Sequence, residues 1–94
     1  MRTFSIAGYL GFDLKLRTVR DMTWTHLRVA TYDGRRTDCF WVVAFGELAK
    51  AMVEKLRKGD GIAIRGFLWV DTTFEGEEEV DLIAREADFF PKPR

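Results

Sequence analysis

Apolar and polar positions alternate from the start of the chain. Over Thr3–Leu10, Phe4, Ile6 and Gly8 share one face against Ser5, Ala7 and Tyr9, a period of two that predicts a strand. Gly8 and Gly11 follow so closely that they predict a bend, letting this one strand serve both edges of a small barrel. Asp13 to Val19 sets Leu14 and Leu16 against Lys15 and Arg17 and reads as a short extended piece. In Trp24–Thr31, Leu27 and Val29 point one way while Trp24, His26 and Arg28 point the other. The stretch Tyr32-Asp33-Gly34-Arg35-Arg36 is a turn signalled by Asp-Gly, after which Asp38–Gly46 returns as a strand carrying Val42, Val43, Ala44 and Phe45.

The period then changes. Leu48, Met52, Val53 and Leu56 recur at helical spacing, so Glu47–Lys58 is predicted as a helix. Glu47 suits its first turn, Lys55, Arg57 and Lys58 suit its last, and Gly59 is the expected C-cap. Gly61–Val70 is a fourth strand, Thr72–Glu77 a hairpin turning at Gly76, and Val80–Phe90 a fifth strand. The predicted class is therefore all-β with one helix. Five strands with the helix between the third and fourth form the OB-fold barrel, an architecture that binds oligonucleotides and oligosaccharides across one face. Residues 1–90 are expected to form this single domain, and residues 91–94, Pro-Lys-Pro-Arg, a short flexible end.

Composition narrows the function. Ninety-four residues, 47% hydrophobic and 14% aromatic, fill one small core. No segment approaches the roughly 20 apolar residues that span a bilayer and no secretory leader is legible, so no membrane partner is expected and the location is read as cytoplasmic. The lone Cys39 and lone His26 supply neither a disulfide nor a zinc-ligand set. Net charge is zero, yet residues 1–70 hold 12 Lys and Arg against 7 acids, and residues 71–94 hold 3 against 8. A basic face and an acidic end are the expected result. The acidic run Glu75, Glu77, Glu78 and Glu79 reads as a solvated turn that repels DNA, not as a metal site.

Four segments in order carry a resemblance: Ile6-Ala7-Gly8-Tyr9-Leu10-Gly11-Phe12-Asp13, Leu27-Arg28-Val29-Ala30-Thr31, Val42-Val43-Ala44-Phe45-Gly46-Glu47-Leu48-Ala49, and Leu56 to Gly66. From Arg2 to about Phe90 the chain resembles the bacterial single-stranded DNA-binding protein family. The resemblance implies an OB fold, a homo-oligomer (a homotetramer, with a dimer as the alternative), base stacking on aromatic rings and phosphate contacts from Lys and Arg. By position it implies a stacking role for Phe45, a basic position at Arg17, and a strand glycine at Gly66. The chain departs from the family pattern at Cys39, where a Trp is usual, at Glu47, where a Lys is usual, and at Thr73 and Phe74, where a Trp is common. Asp71 also stands in a region that is normally basic. The chain ends at Arg94, so the acidic tail with which bacterial members recruit repair proteins is expected to be lacking.

The residues expected to carry binding are the exposed rings and their cations. Trp24, Trp41, Phe45, Trp69 and Phe74 are the stacking candidates, with Tyr32 extending the platform. Arg17, Arg28, Arg35 and Arg36 are the phosphate candidates, joined by Arg20, and Arg28 leads because it shares a strand face with Trp24. Phe4, Phe12, Phe67, Phe89 and Phe90 read as core or subunit contact, and Phe40, Phe89 and Phe90 are assigned to an oligomer interface. His26 reads as an ordinary strand or interface residue and not a catalyst, since no Ser/His/Asp grouping, glycine-rich phosphate loop or metal cluster accompanies it.

The expected activity is non-catalytic, cofactor-free and metal-free binding of single-stranded DNA without strong sequence preference. It would protect the strand in replication, recombination or repair at the nucleoid. The rival is an OB-fold interaction or structural subunit of a replication or recombination complex with weak nucleic-acid affinity, favoured by the zero net charge and the substituted Lys and Trp. An RNA-binding cold-shock-like domain would need aromatics clustered with glycines on adjacent strands, which the sequence lacks.

Overall fold

The computed structural model describes residues 2–94. In chain order the elements are β1 (Thr3–Leu10), β2 (Arg17–Val19), β3 (Met22–Tyr32), β4 (Thr37–Phe45), α1 (Gly46–Lys55), β5 (Gly61–Thr72) and β6 (Glu78–Phe90). The six strands follow the order β1-β5-β6-β4-β3-β2, and β1 also pairs with β3 through Tyr9–Ala30 and Leu10–Val29. That second pairing closes β1, β5, β6, β4 and β3 into a ring of five, the predicted OB barrel. The short β2 lies outside the ring as a hairpin with β3. Counting ring strands alone, the helix falls between the third and fourth, as expected.

Two glycines make the closure sterically feasible. Tyr9 pairs with Gly61 of β5 on one side and Ala30 of β3 on the other, so the chain crosses between sheets beside Gly8. A Cβ on Gly8 would run into the Ala30 carbonyl, and a Cβ on Gly66 into the Ile83 carbonyl. Gly66 also adjoins the register shift between β5 and β6, where an added side chain has no room.

The core follows from the strand phases. Leu10, Leu27, Val29, Val42, Ala44, Ile62 and Ile64 turn inward, and the helix adds Ala49 and Met52, with Leu56 following it. Four sequence expectations change here. Leu14 is buried but Leu16 is 42% exposed, because only Arg17–Val19 of that stretch is strand and the two leucines do not share a face. The helix spans Gly46–Lys55 instead of Glu47–Lys58: Leu56 is already extended at φ −112°, which drives its side chain into the core. Gly59 consequently is no C-cap; it sits in the following turn at φ +88°, donating its amide to the Leu10 carbonyl at 2.9 Å. The β5–β6 hairpin is also longer than predicted, with strands of 12 and 13 residues.

Asp60 organises that turn. Its carboxylate is fully buried and accepts hydrogen bonds from the Arg57 amide at 2.7 Å and the Lys92 amide at 3.0 Å, and it pairs with the Arg94 guanidinium. The Lys92 N–H, followed by Arg94, holds the carboxyl down at about 2 against an ordinary 3.8. Residues 91–94, expected to fray, are thereby tied back to the loop after α1.

Candidate nucleic-acid interface

The cross-strand registers lay out the outer face of β2, β3, β4, β6 and β5 in rows. Arg17, Trp24 and Phe45 form the first, since Arg17 pairs with Trp24 and Trp24 with Phe45. His26 pairs with Val43, Val43 with Ile83, and Ile83 with Phe67 in the second. Arg28 pairs with Trp41 in the third; Asp81 stands one position before the Val42–Leu82 pair and opposite Trp69. Residues paired across a ladder share a face, so the third row reads Arg28, Trp41, Asp81, Trp69 across four strands.

The rings touch. Trp24 meets His26 edge-on with centroids 4.8 Å apart, His26 meets Trp41 at 6.2 Å, and Phe12 lies 5.6 Å from Trp41. The Arg17 guanidinium sits 5.7 Å from the Trp24 ring centroid, within cation–π range. Trp41 and Trp69 are 56% and 57% exposed, and Phe45 40%, so their faces are open to a ligand. A cleft of about 480 Å³ runs alongside, lined by Phe12, Asp13, Lys15, Arg17, His26 and Trp41. Asp13 is occupied structurally, accepting the Lys58 amide at 2.8 Å, which leaves Lys15 and Arg17 as the cations facing the cleft.

The predicted residues divide into a patch and outliers. Trp24, Arg28, Trp41, Phe45 and Arg17 come together on one face, and Trp69 joins them across Asp81. Phe74 is fully exposed at the tip of the β5–β6 hairpin, beyond Asp71 and Glu79, which face each other. Tyr32 shares the outer face, but it lies four residues along β3 from Arg28, about 13 Å at strand rise. The turn after it is closed by Asp33, whose carboxylate accepts the Arg35 and Arg36 amides at 2.9 and 3.1 Å; these bonds hold it below the usual carboxylate range. Arg36 also pairs with Asp38 at 3.3 Å, on the opposite face from Trp41. Arg35 and Arg36 are thus not brought into the patch. Arg20 occupies the β2–β3 turn at φ +56°.

Three contributors escaped the sequence reading. Phe12, read as core or subunit contact, does pack against the core, and it also packs on Trp41 and lines the cleft, which the sequence did not reveal. His26, read as an ordinary strand residue, sits between Trp24 and Trp41, and Lys15 joins the cationic side. Strand alternation already put His26 beside Trp24, and that was the available signal. Of the two C-terminal phenylalanines, Phe89 packs inward on the core opposite Ile62, while Phe90 is 59% exposed opposite Gly61. Among the described residues, no helix is long and apolar enough to cross a membrane, and no three His, Cys, Asp or Glu side chains gather as a metal site.

An OB ring bearing clustered aromatics and cations on one face agrees with the comparison with protein families, in which residues 1–89 match the Single-strand binding protein family. The chain belongs to that family. It is a family of binding proteins, not of enzymes. The fold is similar to the single-stranded DNA binding protein of Thermus aquaticus, at 26% identity and a TM-score of 0.80 over 100% of this chain and 42% of that one. A deletion mutant of the same Thermus aquaticus protein matches at 25% identity with the same TM-score, covering 100% of this chain and 43% of that one. This family member therefore spans less than half the length of those chains. The mitochondrial single-stranded DNA binding protein of S. cerevisiae shares the fold at 17% identity and a TM-score of 0.80, covering 99% of this chain and 97% of that one. A comparison with curated protein sequences gives no match.

Proposed function

We propose that this protein binds single-stranded DNA non-catalytically by stacking bases on its outer face and holding phosphates at the cleft edge. The observation that carries this reading is the contiguous set Arg17–Trp24–Phe45 and Phe12–Trp41–His26, in which Trp41, Phe45 and His26 are exposed, with Lys15 and Arg28 beside it. Unpaired bases offer a π-face to such a platform; a duplex hides them. The protein acts without cofactor or metal, as a homo-oligomer, in the cytoplasm with the nucleoid, protecting strands exposed in replication, recombination or repair.

The test is quenching of tryptophan fluorescence by oligo-dT, with duplex of equal length as control. Quenching by the single strand alone is expected. With Lys15, Arg17 and Arg28 in reach of phosphates, log K against log salt should slope at about −2, since each neutralised phosphate of a single strand contributes roughly −0.7. A folded protein that shows no quenching would sink this proposal.

A further inference from the structure

Trp41 and His26 form a ridge between two grooves of opposite charge. On one side is the cleft bearing Lys15 and Arg17. On the other is a groove of about 230 Å³ lined by His26, Trp41, Val42, Val43, Asp81 and Leu82, in which Asp81 is the only charged residue. Asp81 is exposed, lies opposite Trp69 and alongside Trp41, and has no ion-pair or hydrogen-bond partner among the described residues. Its carboxylate therefore stands free between two exposed tryptophans, on the face where bases would stack.

A phosphate is repelled by a lone carboxylate and belongs in the Lys15–Arg17 cleft. Whatever group enters the Asp81 groove has to donate hydrogen bonds. Among base edges, cytosine offers its N4 amine, adenine its N6 amine and guanine its N2 amine, whereas thymine presents O4, an acceptor, where cytosine has its amine, and has a single donor, N3–H, set between two carbonyl oxygens. An ionised carboxylate only accepts. Thymine can donate only its N3–H, which brings one of the flanking carbonyl oxygens up against the carboxylate; cytosine makes a charge-assisted bond through its amine.

We propose that Asp81 is a specificity-determining residue: a base stacked on Trp41 or Trp69 presents its edge to Asp81, and amine-bearing bases, cytosine first among pyrimidines, are favoured over thymine. The two grooves orient the nucleotide, with its phosphate toward Lys15 and Arg17 and its base edge toward β6. This inference rests on the binding proposed above. Cytosine is the right comparison because it differs little from thymine in stacking area and backbone flexibility, which leaves the exchange of amine for carbonyl as the main variable.

The experiment compares affinities for oligo-dC and oligo-dT of equal length at one salt concentration, in the wild type and in Asp81→Asn. Asn both donates and accepts, so it removes the discrimination along with the charge. The ratio of dC to dT affinity should be about fivefold higher in the wild type than in the variant, the value of roughly one net hydrogen bond. Asp81→Glu, which keeps a carboxylate, should retain part of the wild-type ratio. If Asp81→Asn tightens binding to both oligomers equally, the residue acts only as a bulk negative charge and the inference is overturned. Failure of the wild type to bind either oligomer overturns instead the underlying reading of the platform.

Discussion

On the proposed binding mode, Trp41 is the central stacking ring. It contacts Phe12 and His26, borders both grooves and still exposes more than half its surface, so truncating it removes a stacking face without opening the core. Trp41→Ala should weaken single-strand binding by roughly 1–3 kcal/mol, the range for one base–aromatic stack, with little change in melting temperature. Parallel oligo-dT titrations and thermal melts measure both; unchanged affinity in a folded variant would remove Trp41 from the site. Cys39, two pairing steps along β4 and opposite Ala30, shares the face of Trp41 but has no ring to contribute. Position 41 was legible as a candidate because β-strand alternation fixes side-chain direction. The partnership with Phe12 was not, because the loop after β1 has no periodicity from which its path could be read.

At the scale of elements, what sequence periodicity revealed was what repeats. The strands β1, β3, β4, β5 and β6 were each visible from alternation or apolar runs, and α1 from its apolar stripe. The helix end was not, because it is set by tertiary contacts: Leu56 leaves the helix for the core, and the amides that follow are taken by Asp60 and Asp13. The tail was misread for the same reason, since Lys92 and Arg94 find their partner 32 and 34 residues away in sequence. Asp60 makes this join sensitive to acid. Its carboxyl is held at about 2 when folded against an ordinary 3.8, so the folded state favours the ionised form. The stabilisation is fully present above about pH 4 and is lost as the pH falls toward 2. Asp60→Asn cannot ionise, so its melting temperature should be lower at pH 7 and should fall less than the wild type's between pH 4 and pH 2. Circular-dichroism melts across that interval measure the difference. Equal losses in both proteins would show that acid acts elsewhere.

Across the whole molecule, zero net charge conceals a separation: cations gather at β2 and β3, and carboxylates at the β5–β6 hairpin, where Asp71, Glu79 and Asp81 surround Trp69. On the proposed binding mode, the phosphates of a DNA strand stay on the β2–β3 side and only base edges reach Asp81 and Trp69, while the carboxylates at the hairpin tip repel the backbone and set Phe74 apart from the platform. The apolar residues that the DNA face does not use then require another explanation. Phe40 lies on the inward row opposite fully buried Val29, yet 38% of it remains exposed, because the barrel's own core stops short of it. Tyr9 and Phe90, 58% and 59% exposed, flank Gly61 with no side chain between them. Leaving such rings in water is unfavourable by about 25 cal/mol per Å², and a second copy of the chain would cover them. Phe40 is the more diagnostic of these, since an inward-facing ring finds no role in solvent. Phe40→Asp should therefore reduce the mass seen by sedimentation velocity at micromolar concentration while leaving the far-ultraviolet circular dichroism unchanged. A wild type that sediments as a monomer, or a variant that keeps the wild-type mass, would remove Phe40 from any interface and leave the exposed ring without a function.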